Sequence, residues 1–420
     1  MAFLLSRPGL AAFRHRDFRL FFSMRFLAAL ATQMADVAVA WLVYEITQSA
    51  LALGLIGLCI FLPNILFLLP AGHIADQFER RVVLIICYSV TACASLALLA
   101  TVWTGTATPA VLFSIVAIIG SARAFANPAS AAIVPNIVPR EDFANAVALN
   151  SSANQIATIA GPALGGLVYA LGPHVVFSIT SLFFLLSVTM VWLLAYRMSI
   201  VRRDKITWEY LTAGIGFIRR TPIVLGAISL DLFAVLLGGA TALLPIYAKD
   251  IFLADAFTLG LLRSAPAVGA FMVALWIASF PVNRRVGLRM FQAIGVFGLA
   301  TIGFGLSTSI YPALFFLFVI GASDMISVYV RSTLVQIETP DEMRGRVSAV
   351  NSMFIGASNE LGQFESGVLA AIAGPVAAVV IGGAGTLAVT AAGIKLFPDL
   401  RNRDQLVPLE KTPNGSSSRP

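Results

Sequence analysis

Apolar residues run through this chain in stretches close to the roughly 20 residues that carry a helix across a bilayer. Twelve such stretches are read, at 20–44, 51–71, 82–103, 109–129, 145–169 and 173–196, then at 222–247, 257–280, 288–307, 310–334, 347–371 and 374–396. Only Gly374-Pro375 separates the last two. A transmembrane barrel would instead show short strands of alternating apolar and polar positions. The pattern therefore predicts an all-α membrane protein with twelve transmembrane helices.

The polar positions between the runs carry a second pattern. Arg80 and Arg81, Arg140, the basic stretch from Arg197 to Arg220, Arg284, Arg285 and Arg289, and Arg344 and Arg346 fall on the side of the N-terminus. The opposite loops hold only Lys249. Cytoplasmic loops carry the excess of Lys and Arg, so both termini are expected in the cytoplasm. An odd number of spans would scatter the later clusters over both sides. The expected division is residues 1–196 as one six-helix bundle, 197–221 as a cytoplasmic linker, 222–396 as a second six-helix bundle and 397–420 as a polar tail, expected to be disordered. In the linker, Trp208, Leu211, Ile215 and Ile218 recur at helical spacing. They predict a short amphipathic helix at the membrane surface, with Trp208 at headgroup depth; an irregular connector is the alternative.

Composition narrows the class. Hydrophobic residues make up 58% of the 420 and charged residues 12%, against about 25% charged in a soluble domain. Mean hydropathy is +0.88. A soluble fold is excluded, because so little polar surface could not cover such a core. The net charge of +7 is accounted for by the membrane-edge loops, so no nucleic-acid partner is implied. No small-residue cleavage site follows Arg7, Arg14, Arg16 and Arg19, and the first apolar run is read as a span rather than a signal peptide. Cys59, Cys87 and Cys93 lie in apolar segments without metal spacing and are read as packing residues.

The two sets of runs repeat one another. Pro139 and Pro340, Asn150-Ser151 and Asn351-Ser352, Gly161 and Gly362, and Gly166 and Gly367 are each separated by 201 residues. Arg123 stands opposite Asp324 at the same offset. Such duplication predicts two parallel six-helix halves related by an axis along the membrane normal.

Six charges stand inside the apolar runs without a compensating neighbour: Asp36, Arg123, Arg263, Asp231, Asp324 and Glu360. Charge at helix centre is costly in lipid, so each is expected to face a protein interior or an aqueous path. Arg123 lies too deep to snorkel from either end, and a carboxylate or a substrate anion is its expected partner; a static salt bridge is the alternative. Arg263 is read as structural, and Glu45 as wetting the outer rim.

Gly72-His73-Ile74-Ala75-Asp76-Gln77-Phe78-Glu79-Arg80-Arg81 follows the second run. It resembles the cytoplasmic signature of the major facilitator superfamily through Gly72, Asp76, Arg80 and Arg81, with Gln77 and Glu79 departing from it. Gly161-Pro162-Ala163-Leu164-Gly165-Gly166 in the fifth run is similar to the superfamily's antiporter signature, with Ala157 in place of a leading glycine. The block from Gln33 through Asp36 to Gly54 resembles the branch that holds bacterial enterobactin and macrolide exporters. The resemblance implies the major facilitator fold, a gating role for Gly72, Asp76, Arg80 and Arg81, and a bendable, close-packed helix at Gly161, Pro162, Gly165 and Gly166. It also implies a central cavity lined by the first, fourth, seventh and tenth spans, which hold Asp36, Arg123, Asp231 and Asp324. These four and Glu360 are the candidate substrate and proton-coupling residues. Asp36 is the first choice and Asp324 competes with it, because desolvation and a nearby arginine act on a carboxylate in opposite directions.

Catalytic signatures are missing: there is no His-Glu-x-x-His, no phosphate loop and no nucleophile elbow. The expectation is a secondary transporter rather than an enzyme, with no cofactor and a proton gradient as its energy source. The leading reading is export of a small amphipathic compound (drug, macrolide or siderophore) across a bacterial cytoplasmic (inner) membrane. Membrane lipid surrounds it, and a functional monomer is expected. A lipid or lysophospholipid transporter, a solute importer and a transport-inactive sensor are the alternatives.

Overall fold

The computed structural model describes residues 8–195, 208–280, 282 and 284–406, without the side chains of 8–10, 68–69, 75–76 and 208–211. The expectations for the tail beyond residue 406, for Arg7 and for the linker before Trp208 lie outside the described residues, as do those for the side chains of Asp76, Trp208 and Leu211.

Helices account for nearly all of the described chain. They are α1 (Arg16–Thr47), α2 (Ala50–Leu66), α3 (Leu68–Gln77), α4 (Arg80–Trp103), α5 (Pro109–Ala131), α6 (Phe143–Tyr169) and α7 (Pro173–Trp192). After the linker come α8 (Trp208–Arg220), α9 (Pro222–Leu237), α10 (Ala256–Ser279), α11 (Val286–Gly305), α12 (Ile310–Glu338), α13 (Asp341–Ala373) and α14 (Pro375–Leu396). Beyond α9 the chain continues through a 3-10 turn, Ala240–Leu243, a short helix, Leu244–Ile246, and a π-helical turn, Tyr247–Ile251.

Local chemistry sets the reversals. Gln48 adopts a left-handed conformation (φ 49°) that stops α1, and Ser49 accepts from the Ala52 N–H at 3.3 Å to start α2. Gly374 (φ 86°) and Pro375 make the turn from α13 to α14, which settles the least secure break in the apolar pattern. Asp255 caps α10 through the Thr258 N–H at 3.0 Å.

Nine helical stretches among the described residues are long and apolar enough to cross a membrane. The expected runs at 51–71, 145–169 and 347–371 fall outside that set. One is interrupted at Phe67, between α2 and α3. The other two, α6 and α13, carry Asn150, Asn154 and Gln155, and Asn351, Asn359, Glu360 and Gln363. Of these, Asn150, Asn154 and Gln155 of α6 and Glu360 and Gln363 of α13 line clefts.

The packing scheme repeats. Helix α1 packs on α6 and α7, α4 on α5 and α7, and α2 on α5. Correspondingly, α9 packs on α13 and α14, α11 on α12 and α14, and α10 on α12. Two seams join the sets: α6 against α10 and α2 against α13. Both seams are built from glycine, which lets backbones meet. A Cβ on Gly367 would fall 2.6 Å from the Gly54 Cα, and one on Gly57 would fall 2.8 Å from the Glu360 carbonyl oxygen. Gly166 abuts Ala256, and Gly260 abuts Pro162. These contacts lie toward the end of the bundle that carries Tyr44, Thr106 and Asp250. The second polar cleft described below reaches Arg25, toward the opposite end.

Helix α8 occupies the linker, but its described apolar residues turn toward protein. Ile218 is buried, and Ile215 and Ile218 pack with Val224, Val347 and Val350.

Gly367→Leu is expected to force α13 away from α2 at the Tyr44 end. Pulsed EPR between spin labels at Leu51 and Ile372 should show a longer mean distance than the same labels with Gly367 intact. An unchanged distance would mean that the glycine does not set the approach.

Candidate functional site

Arg123 reaches from α5 to Asp36 on α1, and its Nη2 donates to Asp36 Oδ1 at 2.9 Å. Gly120, one turn earlier on α5, seats that helix closely on α2: a Cβ there would lie 3.1 Å from the Ile60 Cα. The pair is not sealed in. The side chains of Arg123 and Asp36 remain 25% and 33% exposed, because both line a cavity of about 110 Å³.

That cavity lies between the two helix sets. Helix α10 contributes Arg263, and α13 contributes Glu360 and Gln363. Gln363 Nε2 donates to Glu360 Oε2 at 3.4 Å. The remaining wall is mostly apolar, with Ile56, Ile60, Val116, Ile119 and Phe184. A second cleft shares Arg123 and Phe184 with it and is lined by Arg25, Gln33, Tyr88 and Asn154. It extends the polar path toward the Arg25 end. Arg25 itself donates from Nη1 to Ser130 Oγ at 2.7 Å.

Asp231 and Asp324 sit elsewhere. Asp231 pairs with Arg331 (3.3 Å) and accepts from Ser327 Oγ at 3.2 Å, while Arg331 Nη1 donates to Asn351 Oδ1 at 3.1 Å. This network is buried and ties α9, α12 and α13 together. Asp324 lines a narrow cleft with Asp231, Ser323 and Ser327, apart from the main cavity. The structure thus brings Asp36, Arg123 and Glu360 into one site with Arg263, and separates Asp231 and Asp324 from it. Three of the charges read as uncompensated prove compensated: Asp36 and Arg123 by each other, and Asp231 by Arg331. Their partners stand on other helices, where local sequence does not show them.

Arg331 was legible by the argument that singled out Arg123, since it too is a lone cation in an apolar run. Arg263, read as structural, faces the cavity.

The remaining candidates are placed as follows. Gly72 is buried in α3. Arg80 is buried and donates from Nη1 to the Ala132 carbonyl at 2.7 Å, joining the start of α4 to the end of α5. Arg81 donates to the carbonyls of Val191 (3.2 Å) and Trp192, at the end of α7. Gly161 and Gly165 hold α6 against Gln33 and Met34 of α1, and Pro162 and Gly166 hold it against α10. The Tyr44 end carries two contacts that sequence reading missed. Tyr44 donates to the Asp250 carboxylate with the Lys249 Nζ 5.8 Å from its ring centroid, and Tyr169 donates to Glu45 Oε2 at 2.8 Å. Glu45 is therefore a hydrogen-bond partner rather than only a wetted rim residue. Among the described residues, no group of His, Cys, Asp and Glu is arranged to hold a metal ion.

Residues 7–416 match the transmembrane secretion effector family of the major facilitator superfamily. The chain belongs to that family. It is a multi-pass membrane transporter and not an enzyme. An enterobactin exporter, EntS, of Citrobacter koseri is 25% identical over 405 residues, covering 94% of this chain and 95% of the exporter. A staphyloferrin A transporter of Staphylococcus aureus is 23% identical, covering 88% of this chain and 94% of its own length. Among solved structures, a mutant of the nucleoside transporter NupG superposes with a TM-score of 0.74 at 12% identity, covering 91% of this chain and 100% of NupG. A bacterial homolog of the human lysosomal transporter Spinster gives 0.68 at 13% identity, covering 94% and 96%. The fold is thereby that of the major facilitator superfamily.

The two ion pairs differ in what their loss should cost. Removing one partner of a buried pair costs about 3–5 kcal/mol, and Asp231→Ala is expected to approach that. Asp36→Ala should cost less, because its pair is open to the cavity. Thermal unfolding of the purified variants should rank Asp231→Ala well below Asp36→Ala; equal losses would contradict the difference in burial.

Proposed function

We propose that the protein is a secondary active exporter that moves a small amphipathic compound out of a bacterial cell by alternating access, driven by the proton gradient. The observation that carries this reading is the central cavity, which places charges from four helices, two from each set, between packing units that repeat one another. The enterobactin exporter and the staphyloferrin A transporter, matched over nearly their full length, favour a siderophore, or else a drug or macrolide. The reading includes twelve spans in the inner membrane, with α2–α3, α6 and α13 spanning alongside the nine apolar stretches. It also includes a 1–196 bundle, a 222–396 bundle and cytoplasmic termini, as the basic loops require. The equivalent packing schemes of the two sets support the two-bundle division.

Within the site, Asp36 and Arg123 neutralise each other, whereas Glu360 has no cationic partner in contact. Glu360 is therefore the proposed proton carrier of the cavity, facing Asp36 of α1, Arg123 of α5 and Arg263 of α10. Gly72, Asp76, Arg80 and Arg81 are the proposed gate at the cytoplasmic end. Gly161, Pro162, Gly165 and Gly166 form the close-packed pivot between α1 and α10.

Reconstituted vesicles with an imposed pH gradient test the mechanism. Wild type should drive efflux of amphipathic dyes with matching proton movement, and Glu360→Gln should lose the gradient dependence at unchanged membrane abundance. Wild-type flux that ignores both pH and sodium gradients would sink the antiport reading. Proton movement retained in Glu360→Gln would move coupling to Asp36 or Asp324.

The topology is tested separately in sealed cells. A cysteine introduced at Thr106 should be labelled from outside and one at Gln77 should not; the reverse result overturns the orientation.

A further inference from the structure

Arg263 lines the central cavity and makes no hydrogen bond or ion pair with any described residue. Asp36 and Glu360 are the acids whose charges act on it, but neither is in contact with it. Asp36 already holds Arg123, and Glu360 accepts from Gln363. Two guanidinium groups, one from each helix set, thus line one small chamber, and only that of Arg123 has an ionic partner in contact among the described residues.

A guanidinium cannot shed its charge, and its planar fork matches a carboxylate or a comparable oxyanion through two parallel hydrogen bonds. At this depth, leaving it unpaired is costly. We infer that the central cavity recognises its ligand through an anionic head group, a carboxylate or similar planar oxyanion, seated on Arg263, with an adjoining apolar body packed on Ile60, Ile119 and Phe184. Glu360 then faces the same ligand and takes a hydrogen bond from any donor it carries. Such a ligand bridges α10 of one set and α2, α5 and α7 of the other, so its head group is read only while both sets enclose it.

This inference rests on the transport reading for the identity of the cavity, but binding tests it apart from flux. Purified protein in lipid nanodiscs is titrated with benzoate, benzamide and benzylamine, which share one apolar body and differ in the head group. Thermal stabilisation should be strongest with benzoate. Arg263→Gln should weaken benzoate by about tenfold or more and leave benzamide unchanged. Arg263→Lys, which keeps the charge and loses the fork, should recover only part of the benzoate affinity and serves if the glutamine variant does not fold. Benzylamine binding better than benzoate, benzoate affinity indifferent to both substitutions, or no binding of any probe would each overturn the inference. Benzoate binding in a protein that moves nothing along a gradient would retain it and count only against the transport reading.

Discussion

Hydrocarbon does not solvate charge, and that constraint organises this molecule. Each ionised side chain in the spans must meet an opposite charge, a hydrogen-bond partner or a polar cavity. The chain meets the requirement in graded ways. Asp231 and Arg331 are enclosed, with further bonds from Ser327 and to Asn351. Asp36 and Arg123 are paired but open to a cavity. Arg263 and Glu360 face that cavity without an ionic partner in contact. Compensation is most complete inside one helix set and least complete between the sets. A buried pair held by further bonds resists rearrangement, whereas charges left partly free can change partners. Rigidity therefore belongs to the bundles, and the capacity to change belongs to the space between them.

The seams obey a related rule. Helices in lipid gain little from hydrophobicity on meeting each other, so close backbone approach has to supply the attraction. Gly54 against Gly367, and Gly260 against Pro162, provide that approach at the Tyr44 end. Each such contact is individually weak. The Tyr44 hydroxyl and the Asp250 carboxylate add one polar bond across the same end. A closure assembled from many weak contacts and few strong ones can be undone without dismantling the bundles that flank it.

Much of this was legible in the sequence because lipid imposes length and polarity rules on a helix. Apolar runs located the nine long apolar helical stretches, the glycine-proline break at Gly374 located a turn, and the offset of 201 residues between Gly166 and Gly367 matches two helices, α6 and α13, that both stand in the seams. The less legible part concerned pairing. The partners Asp36 and Arg123, and Asp231 and Arg331, are far apart in sequence, and no local pattern joins them. The repeat even misleads here. Asp324 is the counterpart of Arg123 by offset, yet it does not reach the central cavity. The cation of its region is Arg331 on α12, whereas the corresponding place on α5 holds Ser130, reached by Arg25 from α1. The two helix sets share a packing scheme, but their charges stand on different helices.

The three segments that fall short as apolar spans follow from the same physics. Helices α6 and α13 supply seams and the walls of the clefts, whereas α2 is apolar but short, ending at the interruption at Phe67. Asn154 on α6 and Glu360 on α13 are polar because an aqueous path needs polar walls. Low hydropathy in α6 and α13 therefore goes with the polar walls of the clefts.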